Sequence, residues 1–96
     1  MNKKKRIKNK KEVFMEREVI DIIAKEQFIS PENVQLSTRL EQDLDMDEED
    51  RLMLQIKLED GLHINISQSD MSHFETVNDI VEYASKKKPY KLEILH

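Results

Sequence analysis

The sequence predicts an all-α fold, a small bundle of three to four helices with a long first loop, and three observations carry that expectation. Apolar residues recur at helical spacing in three separate stretches. The chain has one glycine and two prolines, almost none of the turn chemistry that β-hairpins need. Its 96 residues, 38% of them hydrophobic, suffice for one domain with a compact core, since a chain this small buries only about 60–65% of its unfolded surface. With no cysteine, disulfides and thiolate chemistry are excluded. No apolar run approaches the roughly 18 residues needed to span a bilayer, and the basic N-terminus lacks the apolar segment of a secretory signal. A cytoplasmic monomer is expected.

From Val13 to about Phe28, Met15, Val19, Ile22 and Ile23 fall on one helical face. Ser30-Pro31-Glu32 stops that helix and opens a short restart, with Ser30 placed as an N-cap and Pro31 at the first helical position. Val34, Leu36, Leu40 and Leu44 keep neither period, which predicts a long ordered loop. A second helix is expected from near Asp47 to about Asp60. Its acidic first turn, Asp47 to Asp50, suits the positive end of the helix dipole, and Gly61 stands where a left-handed C-cap residue is wanted. Leu54, Leu58 and Leu62 form one stripe, while Leu52, Met53 and Ile56 lie on a different side at about 100° per residue. That second group is either another packing surface or an exposed contact patch. Ile64 to Ile66 reads as an extended link. Ser67-x-x-Asp70 and Thr76-x-x-Asp79 are capping signals, the first for a short turn near Asp70 to Phe74. The second opens a firm helix carrying Val77, Ile80, Val81 and Ala84, with Lys86 to Lys88 at its negative end and Pro89 after it.

Charge is segregated. Residues 1–12 carry +6, residues 13–85 carry −13 and the remainder +3. The expected organisation is a basic tail over 1–11, a helical bundle over 12–86 and a second tail over 87–96. The first tail is expected to be disordered and solvated, and its phosphate- or membrane-binding alternative rests on counterion release and Coulomb attraction.

The stretches "VIDIIAKEQ", "DLDMDEEDRLMLQIKLEDGLHINI" and "FETVNDIVEY" resemble the acyl carrier protein family over about Val19 to Tyr83. In the family a D-L-G-x-D-S-L-D signature opens the second helix. Here Asp43-Leu44, Asp47 and Asp50 match it, and Leu54, Leu58, Glu59, Leu62, Ile66, Thr76-Val77 and Tyr83 fall at the family's offsets without a gap. Three positions depart: Asp45 replaces the glycine, Glu48 the serine that carries phosphopantetheine, and Glu49 the leucine after it. The resemblance implies the carrier fold, with fatty acid or polyketide biosynthesis as its setting. It does not imply the covalent cofactor, because a carboxylate cannot form the phosphodiester that a serine hydroxyl makes. Glu48 is then a favourable first-turn residue, or a stand-in for the charge of the attached phosphate.

The expected function is an acyl carrier protein-like, non-catalytic interaction module without phosphopantetheine. It docks through its acidic second helix onto a basic protein partner, such as an enzyme that handles acyl carriers. The candidate docking residues are Asp45, Asp47, Glu48, Glu49, Asp50, Leu52, Met53, Ile56 and Glu59, an apolar centre with a charged rim. One alternative is a binder of nucleic acid or anionic membrane acting through residues 1–11. Another is a variant of a working carrier. Asp43-x-Asp45-x-Asp47 opens like a calcium loop, but Glu48 takes the required glycine position and Leu54 the bidentate glutamate position, so no metal is expected. His63, His73 and His96 lack ligand spacing. With no nucleophile–base pair or glycine-rich loop, no enzymatic site is expected.

Overall fold

A computed structural model describes residues 10–87 as four α-helices and one 3₁₀ turn. They are α1 (Lys10–Gln27), the turn at Pro31–Asn33, α2 (Glu48–Leu62), α3 (Gln68–His73) and α4 (Val77–Lys87). The all-α expectation holds: no strand occurs among the described residues, only an isolated bridge between Arg39 and Thr76. Lys10 and Lys11, expected in the basic tail, belong to α1, and Lys87, expected in the second tail, belongs to α4. Lysine is a good helix former, and at the end of α4 it faces the negative pole of the dipole. The expected tails over 1–9 and 88–96 lie outside the described residues.

Side-chain caps set the helix starts. Asp47 accepts from the Asp50 N–H at 2.8 Å, and Asp50 accepts from the Asp47 N–H at 3.1 Å, a reciprocal box at the head of α2. Ser67 accepts from the Asp70 N–H at 3.0 Å. Thr76 and Asp79 exchange bonds of 3.1 and 3.2 Å ahead of α4. Ser30 departs from expectation, since its hydroxyl bonds the Glu32 carboxylate instead of capping the 3₁₀ turn. That bond draws the Glu32 carboxyl below its ordinary value.

The long first loop, expected as ordered, is laced to the start of α4. Leu40 donates to Glu75 O, Val77 to Thr38 O and Asn78 to Leu36 O, at 2.9 to 3.0 Å. The last two serve N–H groups that a helix start leaves without partners. The loop also sends Val34, Leu40 and Met46 into the core beside Met15, Val19 and Ile23 of α1, Leu54, Leu58 and Leu62 of α2, and Val77, Ile80 and Ala84 of α4. α1 packs against both α2 and α4. α3 adds Met71, and the Phe74 ring meets Tyr83 edge to face at 5.1 Å.

Among the described residues, three have left-handed backbone, Phe28, Asp45 and His63, and none is glycine. The expected C-cap role of Gly61 is therefore corrected. Gly61 lies inside α2, and His63, with φ 57°, makes the cap, helped by Ile64 donating to Glu59 O at 3.3 Å. What Gly61 provides is room: a Cβ there would stand 2.8 Å from Ile22 Cδ1. The helix continues one residue past it because Leu62 is a core residue and draws the last turn inward.

Candidate functional site

α2 carries apolar residues on two roughly opposite sides, and only one is used by the core. Leu54, Leu58 and Leu62 are buried, whereas Leu52, Met53 and Ile56 are 47%, 42% and 47% exposed. The open choice between packing surface and contact patch is thus decided in favour of exposure. Three large apolar residues on one exposed patch lose free energy to water without contributing to the fold.

The acidic residues around them divide into two groups. Glu48 and Glu49 are exposed on the first turn of α2. Asp47 and Asp50 are tied into the capping box, so their charge lies at the helix head while their oxygens hold its backbone. Asp45 is exposed on a left-handed backbone with φ 55°. Glu59 sits further inside: its Oε2 accepts the N–H of buried Ile66 at 2.9 Å. It belongs to a row with Arg51 and Gln55 that ties α2 to α3 and to the link between them. Arg51 Nη1 donates to Met71 O at 2.9 Å, and Gln55 Nε2 donates to Ile66 O at 2.7 Å.

This row holds α3 alongside the head of α2, leaving an open groove between them. Glu48, Glu49, Leu52 and Gln55 form one wall, Gln68, Ser69 and Ser72 the other, with Arg51 and Met71 between. Sequence reasoning missed the α3 wall. The Ser67 cap announced the short helix, but its seat beside α2 depends on a bond spanning 20 residues, Arg51 to Met71, which no local pattern signals.

The geometry bears on cofactor and metal chemistry. Glu48 occupies the first helical position of α2, directly after its N-cap. A phosphopantetheine arm, which the sequence resemblance would put at this residue, is attached through a hydroxyl, and a carboxylate has none. Ser72, across the groove, already donates to Ser69 O at 2.7 Å. Of the acidic triplet, Asp43 accepts from Arg39 N, Nε and Nη2 at 2.8 to 3.2 Å. The Arg39 guanidinium and backbone N–H hold the Asp43 carboxyl below its ordinary value. Asp47 is taken by the cap, and among the described residues no three His, Cys, Asp or Glu side chains converge on a metal-sized site. No helix among them is long and apolar enough to cross a membrane.

Known proteins resemble this chain in sequence and shape. It is 37% identical over 68 residues to a protein named acyl carrier protein from Onion yellows phytoplasma (strain OY-M), covering 71% of this chain and 90% of that one. It is 38% identical over 66 residues to the acyl carrier protein of Aster yellows witches'-broom phytoplasma (strain AYWB), covering 69% and 87%. Its identity to the acyl carrier protein of Chlamydia muridarum (strain MoPn / Nigg) is 31% over 74 residues, covering 77% and 96%. No family model matches. In shape it resembles the apo doublet acyl carrier protein from prodigiosin biosynthesis, known from a solution structure, with a TM-score of 0.70 at 15% identity. That match covers 92% of this chain and 44% of the doublet.

Proposed function

The chain belongs to the acyl carrier protein family, and from that premise we propose that it is a docking member that carries no arm. The family's signature puts a phosphopantetheine-bearing serine at the head of the second helix. Here Glu48 holds that position, and its carboxylate has no hydroxyl to attack the pyrophosphate of coenzyme A. The chain keeps the other half of a carrier's work, recognition by enzymes that act on carriers. Its partner is a basic protein surface, met by Leu52, Met53 and Ile56 at the centre, with Glu48, Glu49 and the charge of Asp45, Asp47 and Asp50 around them. The role is non-catalytic. Acidic charge of this density speeds encounter with a basic partner, and the apolar centre supplies area that water is excluded from.

The single observation that carries this reading is the pairing of an exposed apolar patch with a carboxylate at the first helical position of α2. It does not need Glu59 at the interface, since that side chain is committed to Ile66.

One experiment tests both halves. The chain is mixed with coenzyme A, a broad-specificity phosphopantetheinyl transferase and an ordinary acyl carrier protein, and the products are read by intact mass. This chain is expected to gain no mass and to slow loading of the ordinary carrier by competing for the transferase. Glu49→Lys with Leu52→Ser should relieve the competition, and Glu48→Ser should let the chain accept the arm. A phosphopantetheine adduct on the unaltered chain overturns the reading. Loading of the ordinary carrier at an unchanged rate under excess of this chain removes the docking half.

A further inference from the structure

The outward side of α1 differs in charge from the rest of the domain. Its buried side, Met15, Val19 and Ile23, faces α2 and α4, so the opposite side points away from the bundle. Lys10, Arg17 and Lys25 are exposed there, with Asp21 the one exposed acid of the helix. In register with them stand Val13 and Phe14, 47% and 53% exposed. Phe28, one residue past the helix, is 93% exposed on left-handed backbone. That aromatic ring buries almost nothing and occupies a strained position, so it does not serve the fold. The lysine-rich run of residues 1–12, with its +6 balance, leads directly into the same end of the helix as Val13 and Phe14.

From this juxtaposition we propose that the outward face of α1 docks on an anionic phospholipid surface. Basic and apolar residues mixed on one helix face are the pattern of helices that lie in a membrane interface, where lysine and arginine meet headgroups and aromatic rings enter the acyl boundary. Phe14 and Phe28 lie 14 residues apart, about 21 Å along a helix axis, so a broad, soft surface is needed to receive both. A phosphate backbone would use the cations and leave Val13 and Phe14 in water. Because α1 turns this face away from the bundle, the acidic patch of α2 is a separate surface, and lipid docking through α1 does not depend on protein docking through α2.

Co-sedimentation of the full chain with vesicles tests the proposal. Each lysine or arginine held at an anionic surface is worth about fivefold in partition. Binding to vesicles of phosphatidylglycerol and phosphatidylcholine is therefore expected to exceed binding to pure phosphatidylcholine at least tenfold, and to fall when salt rises from 0.05 to 0.5 M. Phe14→Gln with Phe28→Asn should lower partition about tenfold or more at unchanged circular dichroism, and Arg17→Gln with Lys25→Gln should lower it too. Leu52→Ser with Ile56→Ser should leave it unchanged. Equal binding to both vesicle types overturns the proposal. So does an aromatic double variant that binds as the unaltered chain does, which would assign any binding to the basic run alone. Tighter binding to a single-stranded oligonucleotide than to anionic vesicles overturns it, as does self-association in sedimentation velocity that the same variant abolishes.

Discussion

Glycine placed at Phe28, Asp45 and His63 should stabilise this protein, although glycine inside a helix weakens it. Left-handed backbone costs an L residue about 1–2 kcal/mol, with Asp and His toward the low end and a bulky aromatic toward the high end. Against that, glycine loses roughly 0.5–1 kcal/mol of extra chain entropy on folding. All three side chains are exposed, Phe28 by 93%, so truncation sacrifices almost no burial. The balance is a gain of about 0.5 kcal/mol at Asp45 and at His63 and about 1 kcal/mol at Phe28. The three sit at different junctions, the end of α1, the approach to α2 and the end of α2, so their effects should add to about 2 kcal/mol. At roughly 1 kcal/mol/M for a small domain, the urea midpoint of the triple variant should rise by about 2 M with an unchanged slope. Lys57→Gly, on the exposed side of α2, is the control and should cost about 1 kcal/mol. If the three substitutions lower the midpoint as Lys57→Gly does, the left-handed assignment and the reasoning built on it are refuted.

Gly61→Ala alone should change stability little, because the helix-propensity gain of about 1 kcal/mol meets a methyl 2.8 Å from Ile22 Cδ1. In an Ile22→Val background, which lacks that atom, the same change should stabilise by the full amount in a urea melt. Glu59→Ala should destabilise by about 1–3 kcal/mol by leaving the Ile66 N–H without its acceptor, while competition for the transferase stays intact. Tyr83 donates to Asp70 Oδ2 at 2.9 Å, and burial, with that bond and the nearby Asp70 charge, raises its hydroxyl above the ordinary value. Its contribution is complete below the unfolded phenol pKa of about 10 and is lost as pH rises through the raised folded value. The alkaline fall in stability should be shallower in Tyr83→Phe, as followed by thermal melts between pH 8 and 11.

The parts of this fold that were legible in the sequence are those set by neighbours along the chain. Ser67 and Thr76 cap where their spacing to Asp70 and Asp79 places them, and Leu54, Leu58 and Leu62 enter the core as their period requires. Gly61 misled because glycine at the end of an apolar stripe signals a turn, while the constraint it answers is the Ile22 side chain of another helix. Residues 35–46 kept no period because their order comes from Leu36, Thr38 and Leu40 bonding to Glu75, Val77 and Asn78, more than 30 positions away. The candidate site was legible by half. Its α2 wall has local signals in the acidic turn and the unused apolar side, and its α3 wall is assembled by Arg51, Gln55 and Glu59.

That row of three explains how one helix of 15 residues can hold the fold and still leave a side open for the proposed partner. Leu54, Leu58 and Leu62 face the core, Arg51, Gln55 and Glu59 on the flank hold the link and α3, and Leu52, Met53 and Ile56 are left facing water. A helix needed only for the bundle would keep its third side polar, since three exposed apolar residues raise aggregation without raising stability. Substitutions on the third side should therefore change docking at constant stability, and those on the flank should change stability at constant docking. Had the apolar patch been an accident of drift, replacing Leu52, Met53 and Ile56 together with Gln would leave the rate of carrier loading under competition where it was. A return of that rate toward its uncompeted value, with an unmoved urea midpoint, is the outcome that only a working surface produces.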